Sequence, residues 1–320
     1  MTGAVLWAAL LGAVGTASMA AAARGLGWID QREGLEDRKP REQPVPVVGG
    51  GAVLAAAALA GWLADGGGAL GQLPWVALGT AFLLGLVDDV LPGGLRARHK
   101  LGGQLLVGLL LAWEPGALIG DLEPLDAVGL GLLAVVSMNA INTWDHADGL
   151  TGGLSAVALS SGAPGLAAAV AGYLPFNTFL RQPAAGPGSG GTGRRTGAPR
   201  AMLGDSGAHL LGVALVAVPG AAWFLVVPLL DLARVSLARI RRGQPFWVGD
   251  RTHLGHRLEG VGLHPVMGAL AAVLAASAPL GAVLLRAEPG SLGLWLLATG
   301  GLYSGLVVLT GEKRRQRTRA

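Results

Sequence analysis

The 320-residue chain is 52% hydrophobic and 14% charged, with a mean hydropathy of +0.53. That balance excludes an ordinary soluble domain, in which about a quarter of the residues are charged, and indicates a polytopic membrane protein. The chain has no cysteine, which excludes disulfides, thiolate metal sites and a cysteine nucleophile.

A pI near 10.1 would suit nucleic acid, but the basic residues are placed for a membrane. They fall into five clusters: Arg24 to Arg41, Arg96 to Lys100, Arg181 to Arg200, Arg234 to Arg257 and Lys313 to Arg319, with only Arg286 outside them. The intervening loops hold Asp65, Glu114, Asp121, Glu123, Asp126 and Glu288 instead. This is the positive-inside pattern, and it puts all five clusters on the cytoplasmic side. Abundant glycine, 54 residues, lets membrane helices approach closely.

In chain order, residues 3–23 read as a first span entering from outside. A cleaved signal peptide is the competing reading, with Ala20 to Ala22 as its cleavage site, but the charged n-region is missing. Spans near 47–64 and 73–87 join the first two basic clusters. Spans near 101–120 and 127–143 follow, the former interrupted by Glu114 and Pro115. The stretch 149–180 is too long for one helix of roughly 20 residues, and Gly162-Ala163-Pro164-Gly165 divides it into two short spans. Spans near 207–219 and 221–235 are split by Pro219-Gly220, and spans near 265–285 and 290–310 complete the set. The expected fold is all-α, with about eleven transmembrane helices. Residues 1–312 form one integral-membrane domain. Within it 181–200, rich in Gly, Pro and Arg, is a disordered cytoplasmic insertion, and 313–320 is a basic tail lying against anionic headgroups.

Four polar clusters stand at the ends of apolar runs: Asp88-Asp89, Asn139 to Asp148, Asp205 in MLGDSG, and Asp250 to Arg257. Carboxylates near a bilayer are costly and persist mainly where they do chemistry or bind ions. Each cluster has a plainer reading: a solvated helix end for the Asp pair, an Asx-turn loop for NAINTWDHAD, an N-cap for Asp205, and a surface loop for His253 and His256. Their convergence on one predicted face favours metal-assisted phosphoryl transfer. There, carboxylates hold Mg²⁺, Lys, Arg and His contact phosphate oxygens, and a free carboxylate accepts a proton.

The ordered set GLVDD, Lys100, Gln104, NAIN, DGL, LPFN, GDSG and DRTHLGHRL, preceded by RK…PVPVVGG at 38–50, resembles the polyprenyl-phosphate N-acetylhexosamine-1-phosphate transferases. That superfamily includes the phospho-N-acetylmuramoyl-pentapeptide transferase. The resemblance covers roughly residues 28–260. It implies that a polyprenyl (undecaprenyl) phosphate attacks the sugar-linked phosphate of a UDP-N-acetylhexosamine and releases UMP, with Mg²⁺ or Mn²⁺ as cofactor. This would be the first membrane step of cell-envelope glycan synthesis, on the cytoplasmic face of a bacterial plasma membrane. By the same resemblance Asp88, with Asp89 beside it, and His253 are catalytic, and Asp205 is the metal ligand. Asn142, Asp145 and Asp148 line the nucleotide site, and Lys100, His256 and Arg257 meet phosphate. The partners implied are the UDP-sugar, the polyprenyl phosphate and membrane lipid, without nucleic acid; a homodimer is compatible with the reading.

Four positions depart from the family pattern. His146 stands where a glycine is usual, Met202 replaces an aromatic residue that stacks on uracil, Gly255 replaces a histidine, and His209 follows GDSGA where a hydrophobic residue is common. The DRTHLGHRL form is closer to the N-acetylglucosamine-1-phosphate type than to the pentapeptide type. A transporter would place its acids near helix midpoints, and here they are read at span ends. A non-catalytic relative would have to explain why the acids are intact.

Overall fold

Long apolar stretches can satisfy their backbone hydrogen-bonding groups without water only as helices or closed barrels, and this chain takes the helical solution. A computed structural model describes residues 2–27, 45–65, 73–114, 123–145, 147–182, 198–245, 252–260 and 289–317. Among these the helices are α1 (Thr2–Gly25), α2 (Gly49–Asp65), α3 (Trp75–Val90), α4 (Ala97–Trp113), α5 (Pro124–Trp144), α6 (Leu150–Ala158) and α7 (Pro164–Thr178). They continue with α8 (Gly204–Ala217), a 3-10 turn at Ala221–Leu225, α9 (Val226–Arg241), α10 (Leu254–Gly260) and α11 (Pro289–Arg317). Among the described residues the only β pairing is two isolated bridges.

Three of these segments are individually long and apolar enough to cross a bilayer: Gly3–Gly25, Pro124–Trp144 and Ala221–Arg241. Helices occupy ten of the eleven expected span positions, and the remaining one, 265–285, lies outside the described residues. The boundaries differ in informative ways. The ninth span runs through α9 to Arg241, past the expected end at 235. Asp231, which none of the four polar clusters includes, lies inside this apolar segment and is fully buried. α6 has 9 residues, about 14 Å at the helical rise, under half of the ~30 Å hydrocarbon thickness. α11 continues to Arg317, so the basic tail begins as helix. At the neck of the expected disordered insertion, Gln182 N–H donates to the Ala198 carbonyl at 2.9 Å, and Arg181 bridges Pro199. The ends of that loop are therefore ordered; residues 183–197 lie outside the described residues.

α8 is the axis of the bundle. Every residue from Ser206 to Ala217 is buried, enclosed by α2, α3, α5 and α6. Such close packing requires small residues at the crossings. A Cβ on Gly85 of α3 would lie 2.3 Å from the Asp205 carbonyl oxygen, and one on Gly50 of α2 would lie 2.4 Å from the Gly207 nitrogen. The outer faces are the reverse: Leu6, Trp7 and Leu10 on α1 and Leu105, Leu106 and Leu109 on α4 are exposed, as a lipid-facing surface requires. Exposed Trp7, Trp62 and Trp113 stand near the helix ends remote from the acids, where interfacial tryptophans belong.

The α3–α8 crossing can be tested directly. Gly85→Ala should destabilise the protein by about 1–3 kcal/mol through overpacking. Gly79→Ala on the same helix, where a Cβ meets nothing within 4 Å, should be neutral or gain up to ~1 kcal/mol of helix propensity. Equal thermal midpoints in detergent for Gly85→Ala and wild type would contradict the crossing.

Candidate active site

The site is built on the start of α8. Leu203 precedes that helix without any capping side chain, and Gly204 adopts a left-handed φ of +78°, which favours glycine. The missing cap comes from another helix. Asp89, near the end of α3, accepts from the backbone N–H groups of Asp205 and Ser206, each at 2.9 Å. The plainer reading of Asp205 as its own helix cap is thereby corrected: Asp205 lies in the first turn, and Asp89 caps it from α3.

Asp88, one residue earlier on α3, faces elsewhere. Its Oδ1 accepts from Leu95 N–H at 2.7 Å and its Oδ2 from Lys100 Nζ at 3.1 Å. Lys100, at the start of α4, also donates to Asp205 Oδ2. Three helices thus bring Asp88, Lys100 and Asp205 to one point, with Asp89 one bond away. All four are partly accessible rather than sealed.

These groups lie beyond the expected spans, and their electrostatics are unbalanced. Burial, then the hydrogen bond to and charge of Asp205, pushes the Asp88 carboxyl up to about 6. Burial and the Asp205 charge push Asp89 up to about 7. Burial works against the Lys100 ammonium, but Asp205 and Asp88 outweigh it and hold it above its ordinary value. Burial likewise works against ionised Asp205, yet hydrogen bonds and charge from Asp88 and Lys100 hold it well below the usual carboxylate range. Two carboxylates share the Lys100 ammonium and a third, Asp89, lies beside them, so the cluster has room for further positive charge.

Among the described residues no three His, Asp or Glu side chains form a ready-made metal cage. The donor set instead matches the way Mg²⁺ is usually held, by one or two carboxylates with substrate phosphates and water completing the shell. Asp88 and Asp205 are the two carboxylates so placed.

Behind Asp205 runs a buried chain that the sequence motifs name only in part. His209 Nδ1 lies 2.7 Å from the Asp205 carbonyl, and its Nε2 lies 3.0 Å from Gln104 Nε2. A carbonyl only accepts, so Nδ1 carries the proton and Nε2 accepts from Gln104. Gln104 Oε1 in turn accepts from Asn139 Nδ2 at 2.8 Å. The departure at His209 therefore ties α8 to α4 and α5.

The residues expected at the nucleotide are gathered around the end of α5. Asp145 ends that helix. Asp148 forms an ion pair with Arg181 at 2.7 Å. Asn177, from the LPFN motif, accepts from Gly149 N–H and donates to the Ala201 carbonyl, joining this loop to the approach to α8. The Asn142 side-chain nitrogen is buried and has no hydrogen-bond partner among the described residues. Met202 is buried, and its N–H donates to the Pro46 carbonyl at 2.9 Å. Gly49 and Gly50 at the start of α2 donate to the Met202 and Leu203 carbonyls, so VPVVGG serves as a clamp on the α8 approach. His146 lies outside the described residues.

His253 is placed differently from expectation. It is buried and engaged through both ring nitrogens, by Asp231 at 3.3 Å and Arg239 at 3.2 Å. Arg257 donates to the Thr252 and Val307 carbonyls. The side chain of His256, and residues Asp250 and Arg251, lie outside the described residues. Sequence reading missed Asp231, Arg234, Arg239 and Tyr303; the available signal was a lone acid within VVPLLDLAR.

No protein-family model matches the chain. A Streptomyces coelicolor protein named as a glycosyltransferase by inference is 34% identical over 278 residues, covering 79% of this chain and 62% of its own length. The present chain thus spans less than two thirds of that relative. The undecaprenyl-phosphate alpha-N-acetylglucosaminyl 1-phosphate transferase of Escherichia coli K12 is 26% identical over 292 residues, covering 78% of this chain and 77% of its own. The phospho-N-acetylmuramoyl-pentapeptide-transferase of Moorella thermoacetica is 35% identical over 168 residues, 42% of this chain and 47% of its own.

The division between the adjacent aspartates predicts different losses. Asp89→Ala removes two hydrogen bonds to a charged acceptor and should cost about 1–3 kcal/mol of stability. Asp205→Asn should cost less, because it relieves like-charge crowding. Thermal unfolding of both variants in one detergent decides; an equal or larger loss in Asp205→Asn would reverse the assignment.

Proposed function

We propose that this chain, a homologue of the polyprenyl-phosphate N-acetylhexosamine-1-phosphate transferases, transfers N-acetylglucosamine-1-phosphate from its UDP-sugar to polyprenyl phosphate and releases UMP. The reading rests above all on the meeting of Asp88, Lys100 and Asp205 from three helices. The match to the E. coli N-acetylglucosaminyl enzyme over 78% of the chain, against 42% for the pentapeptide enzyme, supports the smaller donor.

Each residue is proposed for the role that its position suits. Lys100 meets the donor diphosphate as a point charge. Asp88 orients the acceptor phosphate and, as an ionised carboxylate, can accept its proton. Asp205, with Asp88, would hold Mg²⁺, which neutralises phosphate charge when bound. Asp89 fixes the Asp205 turn. Asn142 offers a buried donor to the nucleotide, with Asp145 and Asp148 on the same loop. The site is assigned to the cytoplasmic face of an eleven-span protein of a bacterial plasma membrane. The basic clusters support that orientation.

Purified protein with Mg²⁺, undecaprenyl phosphate and UDP-N-acetylglucosamine should release UMP. Asp205→Asn should abolish release at any attainable Mg²⁺ concentration, and Asp88→Asn should lose at least ~10²-fold, the scale for a positioned base. Turnover of the muramoyl-pentapeptide donor, with none for UDP-N-acetylglucosamine, would overturn the donor assignment. Wild-type turnover in Asp205→Asn would remove that residue from the site.

Orientation has its own test, aided by the absence of native cysteine. Arg98→Cys and Arg242→Cys should label only with reagents that reach the cytoplasm, and Glu123→Cys from outside. External labelling of Arg242→Cys would break the topology.

A further inference from the structure

One turn beneath the site runs a layer of polar side chains that the proposed reaction does not use. It takes one residue from each of three helices that carry the site. On α8, His209 lies one turn beyond Asp205, and on α4, Gln104 lies one turn beyond Lys100. On α5, which ends at the site, Asn139 lies about one turn before Asn142. Residues three or four apart share a helix face, so each layer residue stands behind a site residue. His209 and Gln104 are buried.

The layer is closed. His209 Nδ1 donates to the Asp205 carbonyl at 2.7 Å. Its Nε2 accepts from Gln104 Nε2 at 3.0 Å, and Gln104 Oε1 accepts from Asn139 Nδ2 at 2.8 Å. Asn139 also donates to the Val135 carbonyl of its own helix at 2.8 Å. A leucine at 209 would fill this interior without burying a polar ring, whose burial is costly unless its bonds are made. Packing alone therefore does not account for a histidine here.

The helix contacts show what the ring adds. α4 packs against α3 and α5, and α8 packs against the same two helices. α4 reaches α8 through long side chains, Lys100 to Asp205 and Gln104 to His209. The Lys100 stem is flexible, so its contact does little to fix the rotation of α4 against α8. A second rung one turn deeper fixes it, because a fully satisfied buried network rigidifies what it joins.

We propose that His209 is a positioning residue, locking α4 and α5 to α8 through Gln104 and Asn139 so that Lys100 stays at Asp205. Its effect on turnover rests on the transferase reading; its effect on Lys100 does not. His209 touches no substrate.

Two readouts in detergent test this. One is the acylation rate of Lys100, followed by mass spectrometry against Lys313 in the same molecule. The other is steady-state turnover of UDP-N-acetylglucosamine. His209→Leu leaves a buried Gln104 N–H unpaired and should lower the thermal midpoint. Gln104→Leu combined with His209→Leu removes both partners and should recover most of that midpoint. In this stable double variant Lys100 should still acylate several-fold faster than in wild type. Its kcat/KM should remain about 10–100-fold down, the usual scale for groups standing behind a metal site. Wild-type Lys100 reactivity and turnover in the double variant would make His209 purely structural and overturn the proposal. If the double variant fails to fold, His209→Gln decides. Its side-chain oxygen takes the place of Nε2, so Lys100 should stay protected there and be exposed in His209→Leu; equal rates in the two overturn the proposal. If wild type turns over no UDP-sugar while the double variant releases Lys100, the transferase reading has failed and the positioning of Lys100 stands.

Discussion

The arrangement depends on one interaction, the grip of the Asp89 carboxylate on the first backbone amides of α8. The first N–H groups of a helix have no intrahelical partner, and in a water-poor bundle each unmet group costs several kcal/mol. α8 brings no capping side chain of its own. Because the cap is supplied by α3, the start of α8 cannot move relative to α3. Asp88 and Asp89 are consecutive, so on a helix they point roughly 100° apart. One therefore binds the α8 backbone while the other faces Lys100. The doubled aspartate does two jobs because helical geometry forbids both from doing the same one.

The opposite end of α3 uses the same device. Glu114, just past α4, accepts from the Val76 and Ala77 N–H groups at 2.9 and 3.0 Å. In the sequence this glutamate reads only as an interruption of a span. Its structural use explains why α4 ends at Trp113: the next side chain is needed to cap α3. Carboxylates at helix N-termini are stabilised by the helix dipole as well as by the bonds themselves, so both ends of the α3–α4 pair are pinned without a hydrophobic driving force.

How much of this could be read beforehand depended on contrast. Asp88, Asp145 and Asp205 were legible because they break oily runs; the structure brings Asp88 and Asp205 together on Lys100. The different tasks of Asp88 and Asp89 were not legible, since adjacent letters carry no information about partners. Met202 was read by analogy as a replaced stacking residue, but its backbone is committed to Pro46 and its side chain is buried. Asp231 was missed for a physical reason. A single acid inside an expected span carries no sign of its partners, and only the fold brings Arg234, Tyr303 and His253 around it.

Two charge clusters, one buried and one partly accessible, therefore coexist with opposite electrostatics. Around Asp231 every acceptor is filled, by Arg234, Tyr303, His253 and Leu254, and such a closed network gains rigidity at the expense of binding capacity. Around Asp205, Asp88 and Asp205 share one lysine with Asp89 close by, and the Asp88 and Asp89 carboxyls are pushed toward neutrality. That frustration is what a cation or a cationic transition-state partner would relieve, and it persists only because the Asp89 cap and the glycine crossings hold the groups together. The saturated cluster is closed on itself; the unsaturated one has carboxyl groups in excess of its single lysine and so has room for a cation.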